Sequence, residues 1–150
     1  MDRFEKFPTV MRGVKQVYPN VAPGTPIFAN SVVAGNLVFV SGQTPLDNDT
    51  GLCLSNDITE QMEITMTHVK QALEEAGSDM EHMVRMLIIL SDMKNYFPMR
   101  VAEQDFYRRN CPSLLENPPA STVFAPAEMA RREFLVEIEC VGYIPEENPK

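Results

Sequence analysis

The sequence predicts an α+β protein in which two helices pack on one face of a mixed β-sheet. The spacing of apolar residues gives the order strand or strands, helix, strand, helix, strand, strand. The length of 150 residues suits one folding unit, so we expect residues 1–150 to form a single domain with an N-terminal arm over residues 1–24. Hydrophobic residues make up 44% of the chain and charged residues 23%, a balance typical of a globular protein with a core.

The first third of the chain predicts an arm followed by a strong strand. Prolines and a glycine interrupt the arm, which we expect to be irregular or at most a short edge element. Residues 35–43 alternate as a strand, and residues 45–51 have the composition of a turn. One face of this strand is expected to carry Leu37, Phe39 and Ser41, and the other Val38 and Val40.

The clearest helix is predicted to follow Asp57. This aspartate is a good N-cap, Glu60 completes a pattern like a capping box, and Gly77 supplies a stop. His68 falls on the polar side of this helix, and we expect solvent around it. Apolar residues recur at steps of three and four, which predicts a buried stripe of Ile58, Met62, Met66, Val69, Leu73 and Ala76.

A second strand and a second helix are predicted next. Residues 83–92 are almost continuously apolar, which predicts a strand that is buried on both faces. The helix is expected from about Asn95 to Arg109, with Pro98 in its first turn, where a missing N–H is tolerated. Its inward-facing residues are predicted to be Phe97, Val101 and Phe106.

Two final strands are predicted, one in the uncharged stretch of residues 117–126 and one over residues 133–144. In the last strand Phe134, Val136, Ile138 and Cys140 alternate with Leu135, Glu137, Glu139, Val141 and Tyr143. The sheet face away from the helices therefore combines apolar residues with Glu137. Burying an unpaired carboxylate is costly, so we expect a closed oligomer that covers this face and leaves clefts between subunits.

Composition narrows the possible partners. A formal net charge of −8 with scattered Lys and Arg predicts no nucleic-acid partner. The three cysteines are far apart without CxxC spacing, which predicts no disulfide, no metal site and a reduced cytoplasmic compartment. The chain begins without an apolar signal region and its longest apolar run is too short to cross a membrane, so no membrane partner is expected. The two histidines indicate neither a metal site nor a catalytic triad.

Four blocks of residues 26–144 together resemble the Rid (YjgF) family: GNLVFVSGQTPLDNDTG, the segment from DITEQ to NYFPM, PPASTVF and VEIECVGY. The family includes enamine and imine deaminases, some first described as translation inhibitors or endoribonucleases. The resemblance implies a chorismate-mutase-like α+β fold, a homotrimer with three clefts at subunit interfaces, a small-molecule substrate and no cofactor.

The resemblance also implies a site, residue by residue. The family's serine matches Ser41, and Glu137 matches the glutamate thought to position water in the deaminases. A family tyrosine falls on Phe28, which lacks its hydroxyl, and a helix asparagine falls on Arg100. The arginine that holds the substrate carboxylate in the deaminases falls on Ala120.

The departure at Ala120 leaves two readings of the function open. Loss of a bidentate charged pair should weaken binding of amino-acid-derived imines by roughly a hundredfold or more. The chain is then an enzyme for a different imine, enamine or related small metabolite, with Arg100 as a candidate replacement cation. Ser41 and the backbone N–H groups of Ser121 and Thr122 would hold the substrate.

The alternative is a homologue whose catalysis is lost and whose cleft binds a small ligand or regulates a partner. RNA cleavage is disfavoured by the acidic balance and by the lack of a histidine pair.

Overall fold

The computed structural model of the chain describes residues 3–9, 20, 22 and 25–146. Six strands and two α-helices lie within these residues. The strands are β1 Phe4–Pro8, β2 Ala29–Ala34, β3 Leu37–Gln43, β4 Met83–Leu90, β5 Ala120–Phe124 and β6 Val136–Tyr143, and the helices are α1 Ile58–Glu75 and α2 Tyr96–Asn110.

The six strands form one sheet in the order β1-β2-β3-β6-β4-β5. Every neighbouring pair is antiparallel except β4 and β5. These two strands are parallel because α2 carries the chain back, so that β5 begins at the same end of the sheet as β4. Buried residues of both helices and of alternate strand positions form one core. The predicted α+β class, with a mixed sheet and two helices on one face, is therefore confirmed.

Strand alternation places the core on one face only. The predicted alternation of β3 and β6 is confirmed, since Val38, Val40, Val136, Ile138 and Cys140 are buried while their neighbours are exposed or half-buried. The prediction that β4 is buried on both faces is wrong for this chain. Met86, Ile88 and Leu90 are buried against the helices, but Arg85, Leu87 and Ile89 lie on the other face, which no element of the described chain covers. We call this second face the open face.

Helix α1 has the predicted N-cap, stop and apolar stripe. The pattern like a capping box does not form its second bond, because the Asp57 N–H donates to the Ser55 hydroxyl at 3.0 Å. The Asp57 carboxylate accepts a hydrogen bond from the Glu60 N–H at 3.0 Å, and Gly77 ends the helix with φ +88°. All six residues of the predicted apolar stripe are buried. The prediction for His68 is wrong: its ring is half-buried, because Nδ1 lies 2.9 Å from the Thr44 carbonyl oxygen on the neighbouring loop.

The N-cap of α1 gives a prediction for stability. Asp57→Ala removes the acceptor for the Glu60 N–H and is expected to lower the free energy of unfolding by about 1 kcal/mol. Urea denaturation measures the change. Asp57→Ser keeps a capping oxygen and should restore most of the loss; an equal loss in both variants would contradict the capping role.

Helix α2 buries a different stripe from the one predicted. Phe106 is buried as expected, but Phe97 is 78% exposed and Val101 is 61% exposed. These two residues lie four positions apart on the side of the helix opposite the core. The residues that contact the core continue from Met99 at steps of three and four, and they are Met99, Ala102, Glu103, Phe106 and Tyr107.

The N-terminal arm contributes one strand to the sheet. β1 pairs antiparallel with β2 at one edge, which confirms a short edge element in this segment. Most of the rest of the predicted arm lies outside the described residues. In the part of the chain that the structure describes, no helix is both long and apolar enough to cross a membrane.

Candidate functional site

A carboxylate lies on the open face where β3 meets β6. Glu137 points away from the helices, and the pairing of β3 with β6 shifts register between Val40 and Gln43. At this bulge, a Cβ atom on Gly42 would lie 2.1 Å from Oε1 of Glu137. A glycine is therefore required at position 42 for the carboxylate to occupy this place.

The environment of Glu137 favours a proton acceptor. Partial burial is the main cause that raises the pKa of Glu137, and the nearby charge of Glu139 raises it further. No side-chain hydrogen bond or ion pair to Glu137 is formed within the described residues. Its carboxylate is thus half-buried and has no side-chain partner among the described residues, and its pKa is shifted toward the range in which general bases work.

Ser41 follows the alternation of β3 onto the same side of the sheet as Glu137. The Ser41 hydroxyl donates to the carbonyl oxygen of Ala29 at 2.7 Å, which fixes the side chain against β2. Phe28 directly precedes β2 and is 50% exposed. The structure therefore brings three predicted site residues, Ser41, Phe28 and Glu137, to the β2–β3–β6 part of the sheet.

Three further predicted residues, Ala120, Ser121 and Thr122, lie on the edge strand β5. The β4–β5 register places Ser121 beside the buried Met86, so Ser121 lies on the helix side of the strand. Alternation then places Ala120 and Thr122 on the open face, where both are exposed. Ala120 and Ser121 therefore belong to opposite faces of the sheet.

Arg100 reaches Ser121 from helix α2. One guanidinium nitrogen donates to the Ser121 hydroxyl at 3.0 Å, and another lies 2.8 Å from the Glu103 carboxylate. The guanidinium carbon lies 5.4 Å from the ring centre of Tyr96. Arg100 is therefore held on the helix side of β5.

Glu103, the ion-pair partner of Arg100, is a buried acid. It is 5% exposed, and the Tyr107 hydroxyl donates to its other carboxylate oxygen at 3.2 Å. Burial is the main cause that raises the pKa of Tyr107, and the Glu103 charge adds to it. A buried carboxylate needs such partners to offset the loss of water.

A single chain does not bring Glu137 close to the predicted site residues on β5. Glu137 pairs with Ile89 on β4, and Ile89 pairs with Phe124 on β5, four residues from Ala120. Two strand spacings of about 4.8 Å and four residues of about 3.3 Å place Glu137 about 16 Å from Ala120. The two halves of the predicted site are separate within this chain.

A groove between α1 and α2 lies away from both halves. It has a volume of about 320 Å³ and is lined by Thr59, Glu63, Ala102, Asp105, Arg108 and Arg109. Its charged residues pair with one another, as Arg109 with Glu63 and Arg108 with Asp105. Nothing in this groove extends the candidate site.

Sequence reasoning missed three residues that shape the site: Gly42, Arg85 and Glu103. An isolated glycine in a strand is a local signal for a bulge, so the role of Gly42 was accessible from the sequence. Arg85 lies beside Ala120, a pairing that spans the whole of α2. Glu103 has Arg100 three residues before it and Tyr107 four residues after it, which is the helical spacing of a compensated acid.

Comparison with known proteins agrees with this architecture. The family model for Endoribonuclease L-PSP matches residues 20–144. A RutC family protein of Pyrococcus abyssi is 27% identical over 116 residues, which are 77% of this chain and 85% of that protein.

Solved structures share the fold. A YjgF-family protein of Neisseria meningitidis matches with a TM-score of 0.72 at 23% identity, covering 97% of this chain and 98% of the other. Escherichia coli TdcF, whose structure contains bound serine, matches with a TM-score of 0.73 at 19% identity, covering 93% and 98%.

Proposed function

Because the chain belongs to the Endoribonuclease L-PSP family, also called YjgF or Rid, we propose that it hydrolyses a C=N or related bond in a small metabolite. The substrate is an imine or enamine other than a simple amino-acid-derived imine. Glu137 positions a water molecule and accepts its proton as the oxygen attacks the imine carbon. Glu137 then returns this proton to the nitrogen, and the new hydroxyl group gives up its own proton to the nitrogen as the C–N bond breaks. The nitrogen leaves as ammonia or an amine, a carbonyl product remains, and Glu137 is again ionised.

The observation that carries this proposal is the place of the Glu137 carboxylate. It is half-buried at the Gly42 bulge, has a raised pKa, and has no side-chain partner in the described residues. A carboxylate retained only for structure would be expected to have donors, since burial without them is unfavourable. A water molecule beside it would supply the missing donor.

The complete cleft is proposed to form between subunits of a homotrimer. The resemblance to Rid proteins implies this assembly, and two features support it. The two halves of the site lie about 16 Å apart in one chain. The open face also exposes four large apolar residues, Leu37, Phe39, Phe124 and Tyr143, each between 37% and 45% exposed, which a neighbouring copy would cover.

Within that cleft, Ser41, Phe28 and Glu137 of one subunit would face Ala120, Thr122 and the β5 backbone of the next. Ala120 and Phe28 provide apolar surface where the resembling deaminases have an arginine and a tyrosine. Arg100 supports the cleft from the helix side through Ser121. An imine without a carboxylate on the reacting carbon suits this lining better than one that carries its carboxylate there.

Restoring the arginine tests the substrate class. Ala120→Arg is expected to raise kcat/KM for an amino-acid-derived imine, relative to a neutral aromatic imine, by roughly a hundredfold, since it adds a bidentate charged pair. Coupled release of ammonia and carbonyl product measures both rates. Ala120→Met is the control, since it adds bulk without charge. An unchanged ratio in Ala120→Arg would contradict the role given to Ala120.

A ligand-binding or regulatory trimer is the second candidate function. One observation favours it: Ser41 already donates to Ala29, and Arg100 already binds Glu103 and Ser121, so both are satisfied without substrate. In that case 2-oxo acids or neutral carbonyl compounds would raise the melting temperature by mass action. No imine would be hydrolysed faster than in buffer.

A further inference from the structure

We infer that Arg85 binds an anionic group of the substrate, and that this substrate carries its carboxylate on a carbon away from the reacting C=N carbon. The inference rests on the proposed function, because it names the substrate class of the same cleft. Sequence reasoning placed the possible replacement cation at Arg100. The sheet register supplies a different candidate.

Arg85 is the neighbour of Ala120 across the β4–β5 pairing. Directly paired residues of parallel strands have side chains on the same face, about 4.8 Å apart. Because Met86 and Ser121 lie on the helix side, Arg85 and Ala120 both lie on the open face. The methyl group of Ala120 leaves the space above it free for a longer side chain from β4.

The Arg85 guanidinium is also available. It is exposed, and it forms no ion pair or side-chain hydrogen bond within the described residues. On the open face of β6, the residue directly opposite Arg85 is Val141. The acid Glu139 lies opposite Leu87 instead. Arg100, in contrast, uses its guanidinium on Glu103 and Ser121 on the helix side.

An arginine on β4 at position 85, in place of one on β5 at position 120, changes which carboxylic acid fits the cleft. A carboxylate bonded directly to the C=N carbon has a fixed position relative to the reacting atoms. An arginine that starts one strand away, about 4.8 Å from the Ala120 position, meets it in a different place and direction. A carboxylate on a flexible arm or ring adjusts to this position and accepts the paired hydrogen bonds that a guanidinium offers.

Two isomeric acids test this geometry, with the ketone standing in for the C=N bond. In 4-oxopentanoate the carboxylate is separated from the carbonyl carbon by two methylene groups, whereas in 2-oxopentanoate it is attached directly. Pentan-2-one is the neutral reference. Isothermal titration calorimetry of each compound against the intact protein should show the tightest binding for 4-oxopentanoate.

Variants of Arg85 then assign the contact. Arg85→Gln is expected to weaken 4-oxopentanoate binding by about tenfold to a hundredfold and to leave pentan-2-one unchanged. Arg85→Lys keeps the charge and should recover part of the loss. Arg108→Gln removes the same charge from the far side of α2 and should bind 4-oxopentanoate like the wild type.

Three results would overturn the inference. They are tighter binding of 2-oxopentanoate by the wild type, equal binding of 4-oxopentanoate by the wild type and Arg85→Gln, and no binding of either acid. Binding is measured without turnover, so an inactive protein that still shows Arg85-dependent binding would refute the proposed hydrolysis alone. A protein that hydrolyses imines without dependence on Arg85 would refute this inference alone.

Discussion

Glu137→Gln is expected to lower kcat/KM for imine hydrolysis by about 10²- to 10⁴-fold, the usual contribution of a general base. The amide keeps the size of the side chain, so it still fits beside Gly42, but it cannot accept the proton of the attacking water. Ammonia release under single-turnover conditions separates this chemical step from product release.

Glu139→Gln is the matched control for that variant. Glu139 lies on the same strand and face, two residues away, but it is exposed. We expect its activity at neutral pH to match the wild type. Since the Glu139 charge helps to raise the pKa of Glu137, the rise of activity with pH should move to lower pH in this variant. Equal losses in both variants would remove Glu137 from its proposed role.

Ionisation of Glu137 with rising pH should increase activity and decrease stability. Activity should increase as the pH rises through the raised pKa of Glu137, because the base must be ionised. A raised carboxyl pKa means that the folded state binds the proton more tightly than the unfolded chain. Its contribution to stability is therefore present below the ordinary pKa of 4.5 and is lost as the pH rises through the folded value.

Urea unfolding of Glu137→Gln should consequently reveal a gain over the wild type that is larger at pH 7 than at pH 4. A variant that is inactive and less stable at pH 7 would indicate a structural role instead.

Arg100→Met is expected to lower the free energy of unfolding by about 3 kcal/mol, near the lower end for breaking a buried ion pair. The variant leaves the Glu103 carboxylate in the core with only the Tyr107 hydroxyl as partner. The lower end applies because the Arg100 side chain is 26% exposed and part of its charge is already hydrated. Urea denaturation of the wild type and the variant measures the difference.

Two further variants isolate the buried pair. Arg100→Met with Glu103→Leu removes both charges and should recover most of the lost stability. Arg109→Met breaks the exposed pair with Glu63 on the same helix and should lower stability by less than about 1 kcal/mol. Equal losses in the free energy of unfolding for Arg100→Met and Arg109→Met would show that the buried Arg100–Glu103 pair stabilises the fold no more than an exposed pair does.

Local patterns predicted the fold well. The capped helix α1, the alternation of β3 and β6, and the edge position of β1 depend on residues close in sequence, and all are confirmed. The inward face of α2 was predicted wrongly because hydrophobicity alone favoured Phe97 and Val101. A charged residue, Glu103, occupies the core instead, and its compensation by Arg100 and Tyr107 is visible only from helical spacing.

The site was harder to predict because its geometry depends on non-local pairing. Which residue lies beside Ala120 is set by the register of two parallel strands joined through α2, and no local pattern specifies that register. The resemblance predicts a missing guanidinium at Ala120 and offers Arg100 as its replacement. Strand alternation separates these two residues onto opposite sides of the sheet.

The alternation along β5 separates residues that could change ligand selectivity from residues that support the fold. Ala120, Thr122 and Phe124 face the open side, whereas Ser121 and Val123 face the helices. Saturation libraries confined to Ala120 and Thr122 should sample new ligand preferences in proteins that still express and melt normally. Libraries at Val123, which packs against the core, should yield mostly insoluble or weakened clones.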